Sequence, residues 1–199
     1  MASGRGERET FDVLAITSSA GGIQALMVVL SALPADFPVP VLVVQHLDPR
    51  HKTVLADLLD RRCELSVKLA DAGESVEAGF VYVAPPGRHL LISADRTLEL
   101  SSSGLVHFVR PSADLLFESV AKAYGPRAIV CVLTGTGRDG AMGVEAVKSR
   151  GGTVIVQDPA TADFPGMPEA ALAAAPVDFV SSVKEIATVI RGLVGRERR

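Results

Sequence analysis

Two adjacent serines, Ser18 and Ser19, precede a glycine pair in the stretch ITSSAGGIQAL. A hydroxyl held at a sharp turn can act as a nucleophile when a base lies beside it. Farther along, QHLDPRH supplies His46, and imidazole is the side chain suited to take a hydroxyl proton near neutral pH. TGTGRDGAMG supplies Asp139, a carboxylate that could hold such an imidazole in one tautomer and stabilise its charged form. Together these are the parts of a serine hydrolase, and residue types alone leave the choice between Ser18 and Ser19 open. The glycines have a matching use. Gly21 and Gly22 would turn the backbone sharply and expose N–H groups to a developing oxyanion. Gly135 and Gly137, around Thr136, would let a second loop pass close to a substrate.

Each piece alone has a plainer reading. A Ser-x-Gly-Gly turn suits anion binding, a single histidine is commonly structural, and Asp139 is a candidate N-cap for the helix that follows it. What joins them is position. DVLAI (12–16), VPVLVVQ (39–45), AIVCVLT (128–134) and TVIVQ (153–157) are short, β-branched and apolar on both faces, as strands covered on both sides must be. Three of these runs end in the three polar clusters. Between the runs, residues 22–34, 53–63, 112–125 and 139–152 read as helices, two of them ending on glycine. The stretch 64–110 holds short strand-like pieces, LSVKLA, GFVYVAP, HLLISA, TLELSS and LVHFVR. Asp95-Arg96 forms the centre of an expected hairpin there. The fold class is therefore α/β: a doubly wound, mainly parallel sheet flanked by helices, with an antiparallel hairpin at one edge. In such sheets functional groups gather at the carboxyl ends of the strands. Residues 1–10 read as a disordered lead-in, 11–195 as one catalytic domain, and 196–199 as a basic tail.

Several function classes fit poorly. A net charge of −3 gives no basic face for nucleic acid. No run approaches the roughly 18 uncharged apolar residues of a membrane span. With only two cysteines, Cys63 and Cys131, and no secretory leader pattern, a reducing, cytoplasmic setting is expected. GTGRDG matches a dinucleotide spacing, but the next strand ends on Gln157 before Asp158, and no Gly-Lys-Ser/Thr phosphate loop occurs. His46, Asp48 and His51 make a poor metal set because Pro49 breaks any helical register between them.

The blocks SSAGGIQAL, VVQHLDPRHKTVLADLL, YVAPPGRHLLI, RPSADLLFES, LTGTGRDGAMGVEAVKSRGG and VIVQDPATADFPGMPEAAL together resemble the catalytic domain of chemotaxis-type protein-glutamate methylesterases, across roughly residues 12–192. The resemblance implies a doubly wound α/β sheet and a Ser-His-Asp triad of Ser19, His46 and Asp139. It implies hydrolysis of glutamyl methyl esters on the cytoplasmic helical region of chemoreceptors, with deamidation of receptor glutamines in some members, and no metal or organic cofactor. Oxyanion groups would lie near Ala20 and Thr136, and His51 and His89 match family histidines, His89 either lining the site or packing its loop. Arg88, Arg110 and Arg138 would face an acidic receptor helix or solvent. The stretch 163–172 matches a loop near the site. A separate regulatory receiver or methyltransferase protein is the further partner such a chain would meet, because only about 11 residues precede the first strand and leave no room here for a covering receiver domain. One departure touches the site: Thr17-Ser18 stands where the family has Gly-Ala. It motivates the alternative, a weak or inactive module that binds a receptor or signalling partner without turnover.

Overall fold

The computed structural model describes residues 11–48, 50 and 53–195. The expected lead-in, the basic tail and His51 lie outside them. Seven parallel strands form one sheet: β1 (Val13–Ser18), β2 (Val41–Gln45), β3 (Ser66–Leu69), β4 (Phe80–Val83), β7 (Ala128–Val132), β8 (Thr153–Gln157) and β9 (Phe179–Ser181), in the order β3-β4-β2-β1-β7-β8-β9. Chain order runs outward from β1 to β2 on one side and returns to β7 on the other. The carboxyl end of β1 is therefore the point where strand order reverses and a crevice opens. The register Ser18↔Gln45 and Thr17↔Val132 brings all three polar clusters to that end.

Alternate residues of each central strand feed opposite layers, which is why the runs are apolar throughout. Leu14, Ile16, Val41 and Val43 join α1 (Gly22–Leu30), α2 (Leu55–Asp60) and α6 (Val183–Val194). Val13, Ala15, Leu42 and Val44 join α3 (Ala113–Tyr124), α4 (Ala141–Ser149) and α5 (Gly166–Ala174). Cys131 is fully buried, and burial pushes its thiol up.

The stretch 64–110 divides between the main sheet and a separate hairpin. The pieces at 66–69 and 80–83 are parallel members of the main sheet. The hairpin is real, β5 (His89–Ile92) against β6 (Leu98–Ser101), but it forms a separate two-stranded sheet rather than an edge of the main one. It lies on α3, with Leu90, Ile92 and Leu98 in the same layer as Leu116 and Val120. LVHFVR is not a strand. Val106 and Val109 meet in an isolated two-residue turn.

Candidate active site

β1 ends on two serines with opposite fates. Ser18 is fully buried and donates its hydroxyl to Gln45 Oε1 at 2.6 Å. Ser19 lies past the strand end, half-buried, with its N–H on the Thr134 carbonyl at 3.0 Å. The Ser18 bond turns the Gln45 amide so that Nε2 donates to the carbonyls of Ser19, at 2.9 Å, and His46, at 3.0 Å. One side chain thus ties the residue after β1 to the residue after β2. Gly22 is what leaves room for it: a Cβ there would fall 2.3 Å from Gln45 Oε1 and 2.7 Å from Ser18 Oγ. Thr17 is also buried, and its Oγ1 has no partner.

His46 reaches across the β1 end to Asp139, Nε2 to Oδ2 at 2.8 Å. Asp139 is almost wholly buried and accepts three further bonds, all from the start of α3: the Ser112 hydroxyl at 2.8 Å and the N–H groups of Ala113 and Asp114 at 2.6 and 3.2 Å. Burial pushes its carboxyl up. The donors His46, Ala113 and Ser112, with the charge of His46, outweigh that and hold it below the usual carboxylate range. An ionised Asp139 accepts, so the proton of this bond sits on His46 Nε2, which makes Nδ1 the ring nitrogen that can take a proton from a hydroxyl.

The expectation that Asp139 caps its own helix is corrected here. The N-cap of α4 is Gly140, in the left-handed region at φ 99°, without a side-chain cap bond. Asp139 instead serves the N-terminus of α3, where the unpaired N–H groups and the helix dipole favour an anion. The service is returned. Asp114, in the first turn of α3, accepts the Gly143 N–H of α4 at 2.8 Å. Gly143 permits the close approach, since a Cβ there would sit 2.5 Å from Phe117 Cβ. Burial and the neighbouring charge of Asp139 raise the Asp114 carboxyl, against the pull of Gly143 N–H and His107.

Of the expected oxyanion groups, Ala20 and Gly21 lie at the turn, and among the described residues their N–H groups have no backbone acceptor. Gly21 sits at φ 72° and Gly22 opens α1. Gly135 packs against the serine itself, a Cβ there falling 2.8 Å from Ser19 Cβ. Thr136 and Gly137 follow on the exposed loop, and Gly135 N–H and O bond Phe164 and Met167, which brings residues 163–167 to the site. The Ser19 hydroxyl donates to no described residue.

His89 does not line the site. It is fully buried, accepting the Ser112 N–H on Nδ1 at 3.1 Å and meeting the Gly104 carbonyl through Nε2 at 3.0 Å. It braces Ser112, which in turn bonds Asp139. Sequence reasoning missed both Ser112 and Gln45. The motif RPSAD does signal a helix start, but not that its donors would serve a carboxylate 27 positions away. A cavity of about 200 Å³ opens beside the imidazole, lined by His46, Gly87, Leu105, Phe108 and Arg110. Arg110 is not a free charge, since Nη1 donates to the carbonyls of Ser102 and Ser103 at 2.9 and 2.7 Å. Arg88 bonds the Ser102 hydroxyl, and Arg138 is exposed. Among the described residues no group of three or more His, Cys, Asp or Glu side chains is placed to hold a metal, and no helix is long and apolar enough to cross a membrane.

Residues 14–190 match the family model described as CheB methylesterase. A Leptospira interrogans protein, provisionally named protein-glutamate methylesterase/protein-glutamine glutaminase, is 41% identical over 89% of this chain and 92% of its own length. Proteins of that name from Moorella thermoacetica and Anaeromyxobacter dehalogenans are 40% and 42% identical over 95% and 92% of this chain. The chain spans about half of each, 46% and 53%. The crystal structure of the Thermotoga maritima CheB methylesterase catalytic domain superposes with a TM-score of 0.87 at 36% identity, covering 94% of this chain and 99% of that one.

Proposed function

The chain belongs to the CheB methylesterase family, and on that premise we propose that it hydrolyses glutamyl methyl esters, and deamidates glutamines, on the cytoplasmic helical region of chemoreceptors, with Ser19 as nucleophile, His46 as base and Asp139 as the carboxylate that orients it. The observation that carries the reading is the His46–Asp139 bond at 2.8 Å, set at the strand-order reversal beside the half-exposed Ser19. Ser19 Oγ attacks the ester carbonyl and passes its proton to His46 Nδ1. The oxyanion rests on N–H groups of the Ala20-Gly21 turn and the Thr136-Gly137 loop. His46 returns the proton to the departing methanol. Water, deprotonated by the same nitrogen, then releases the glutamate and frees Ser19. An amide in place of the ester gives ammonia by the same steps, and the chemistry asks for no metal or organic cofactor. The setting is cytoplasmic signalling of the two-component type, where a separate receiver or methyltransferase protein would regulate or oppose the reaction. The alternative of a binding module without turnover rests on Thr17-Ser18. Both side chains are buried beneath the turn and occupy none of its exposed face, so nothing in the site favours that alternative.

The test is methanol release from a methylated chemoreceptor. Wild type and Ser18→Ala should release it and Ser19→Ala should not. Release by Ser19→Ala at the wild-type rate would overturn the assignment.

A further inference from the structure

The turn at Val106–Val109 is clipped by two bonds, Val106 N–H to Val109 O at 3.1 Å and Val109 N–H to Val106 O at 2.9 Å. Its two central residues, His107 and Phe108, both take left-handed backbone, φ 49° and 64°. Such two-residue turns favour Asn-Gly, because a bulky side chain is strained there. Neither central residue has glycine's freedom. The chain gains no compensating burial, since the Phe108 ring is 94% exposed.

Two contacts lie beneath the turn. His107 Nε2 lies 3.1 Å from Asp114 Oδ2, in the carboxylate cluster that contains Asp139. Arg110, just past the turn, pins the carbonyls of Ser102 and Ser103. The result is a braced knuckle that points a phenyl ring outward at the mouth of the cavity holding His46, with Leu105, 59% exposed, beside it. Across His46 the apolar surface continues. Leu47 lines this cavity and also a second hollow of about 250 Å³ that contains Val54 and Leu58. Strain kept at an exposed aromatic beside a reactive group is a common mark of a functional contact.

We propose that Phe108 is a docking wedge: it enters an apolar recess on the substrate protein next to the glutamyl side chain being hydrolysed, and so selects protein substrate over free ester. This rests on the activity proposed above. The partner is the ester-bearing protein itself, because the wedge stands at the mouth of the same cavity as His46, the base of the proposed reaction. A rigid aromatic has little rotamer freedom to lose on docking, and buried aromatics dominate interface energetics.

The test compares two readouts in Phe108→Asn, a residue that tolerates left-handed backbone. On a methylated chemoreceptor, kcat/KM should fall about 10- to 30-fold, chiefly through KM. Labelling by a small fluorophosphonate should fall no more than about threefold. The thermal midpoint should hold or rise, because strain is relieved and no burial is lost. Phe108→Leu should recover most of the receptor affinity. Equal losses in both readouts, or an unchanged receptor KM, would overturn the wedge. So would a dimer of the wild type that dissociates in Phe108→Asn, which would make the knuckle a self-association contact. Failure of the wild type to release methanol from any methylated receptor, while Ser19 still labels, would instead refute the substrate reading on which the wedge rests.

Discussion

Removing the Ser18 hydroxyl separates the buried serine from the proposed nucleophile and tests what Gln45 does. In Ser18→Ala the Gln45 amide keeps both Nε2 bonds, to the carbonyls of Ser19 and His46, but Oε1 loses its one donor in a region closed to water. The amide has no good escape. Flipping it would set Oε1 against two carbonyl oxygens. A buried acceptor left unpaired costs about 1–3 kcal/mol. For a domain of this size each kcal/mol lowers Tm by roughly 2–4 °C, so a fall of about 2–12 °C is expected. Because Nε2 still bridges Ser19 and His46, kcat should fall only modestly, by about 3- to 10-fold, with little change in KM. The assays are differential scanning calorimetry and methanol release at a temperature well below both midpoints. Adding Gln45→Leu should cost less than the sum of the two single changes, since both partners of the bond are then gone. A wild-type Tm in Ser18→Ala would refute the bond. Complete loss of turnover in a folded Ser18→Ala would refute the division of labour between the serines.

Asp139→Asn should lower kcat by about 10⁴-fold, measured as initial methanol release, because an amide cannot accept from His46 and the α3 donors together. Thr17→Val keeps the shape of a buried side chain and removes an unpaired hydroxyl; it should raise stability by about 1 kcal/mol in urea unfolding, with turnover retained. The raised Asp114 carboxyl holds a proton to a higher pH in the folded state than in the unfolded chain. Folding stability from this group is fully present below its unfolded value and is lost as pH rises through the raised folded one. Asp114→Asn should therefore gain Tm over wild type at neutral pH, with the gap closing in acid; a gap that widens in acid would contradict it. The groups facing that carboxylate are the Gly143 and Gly140 N–H groups, His107 and Asp139, so the same titration should be followed in His107→Gln to separate their effects.

The parts of this fold that were readable in the sequence are those governed by local pattern. β1, β2, β7 and β8 are apolar on both faces, and each continuous run marked a doubly covered strand. Their polar endings pointed to one edge of the sheet, where His46 and Asp139 do meet. Residues 66–69 and 80–83 did not reveal that they pair in parallel, because strand direction depends on the long connection and leaves no mark in a four-residue pattern. β9 is three residues long, too short for an apolar pattern to show. The start at Ser112 was legible, but its hydroxyl does no capping and the anion at α3 is Asp139, from another strand end. His89 illustrates the same limit. Its type suggested the site, whereas its buried bonds to Ser112 and Gly104 make it a brace. Between Ser18 and Ser19 residue type gave no choice. Burial of one hydroxyl against Gln45 separates them physically.

The central claim is that Ser19 is a nucleophile activated by His46. It is tested most directly by mapping, through peptide mass spectrometry, where a fluorophosphonate attaches to the native protein. The account predicts one adduct, on Ser19, formed at least about 100-fold more slowly in His46→Gln. An adduct on Ser18, or labelling of Ser19 that is indifferent to His46, would contradict it.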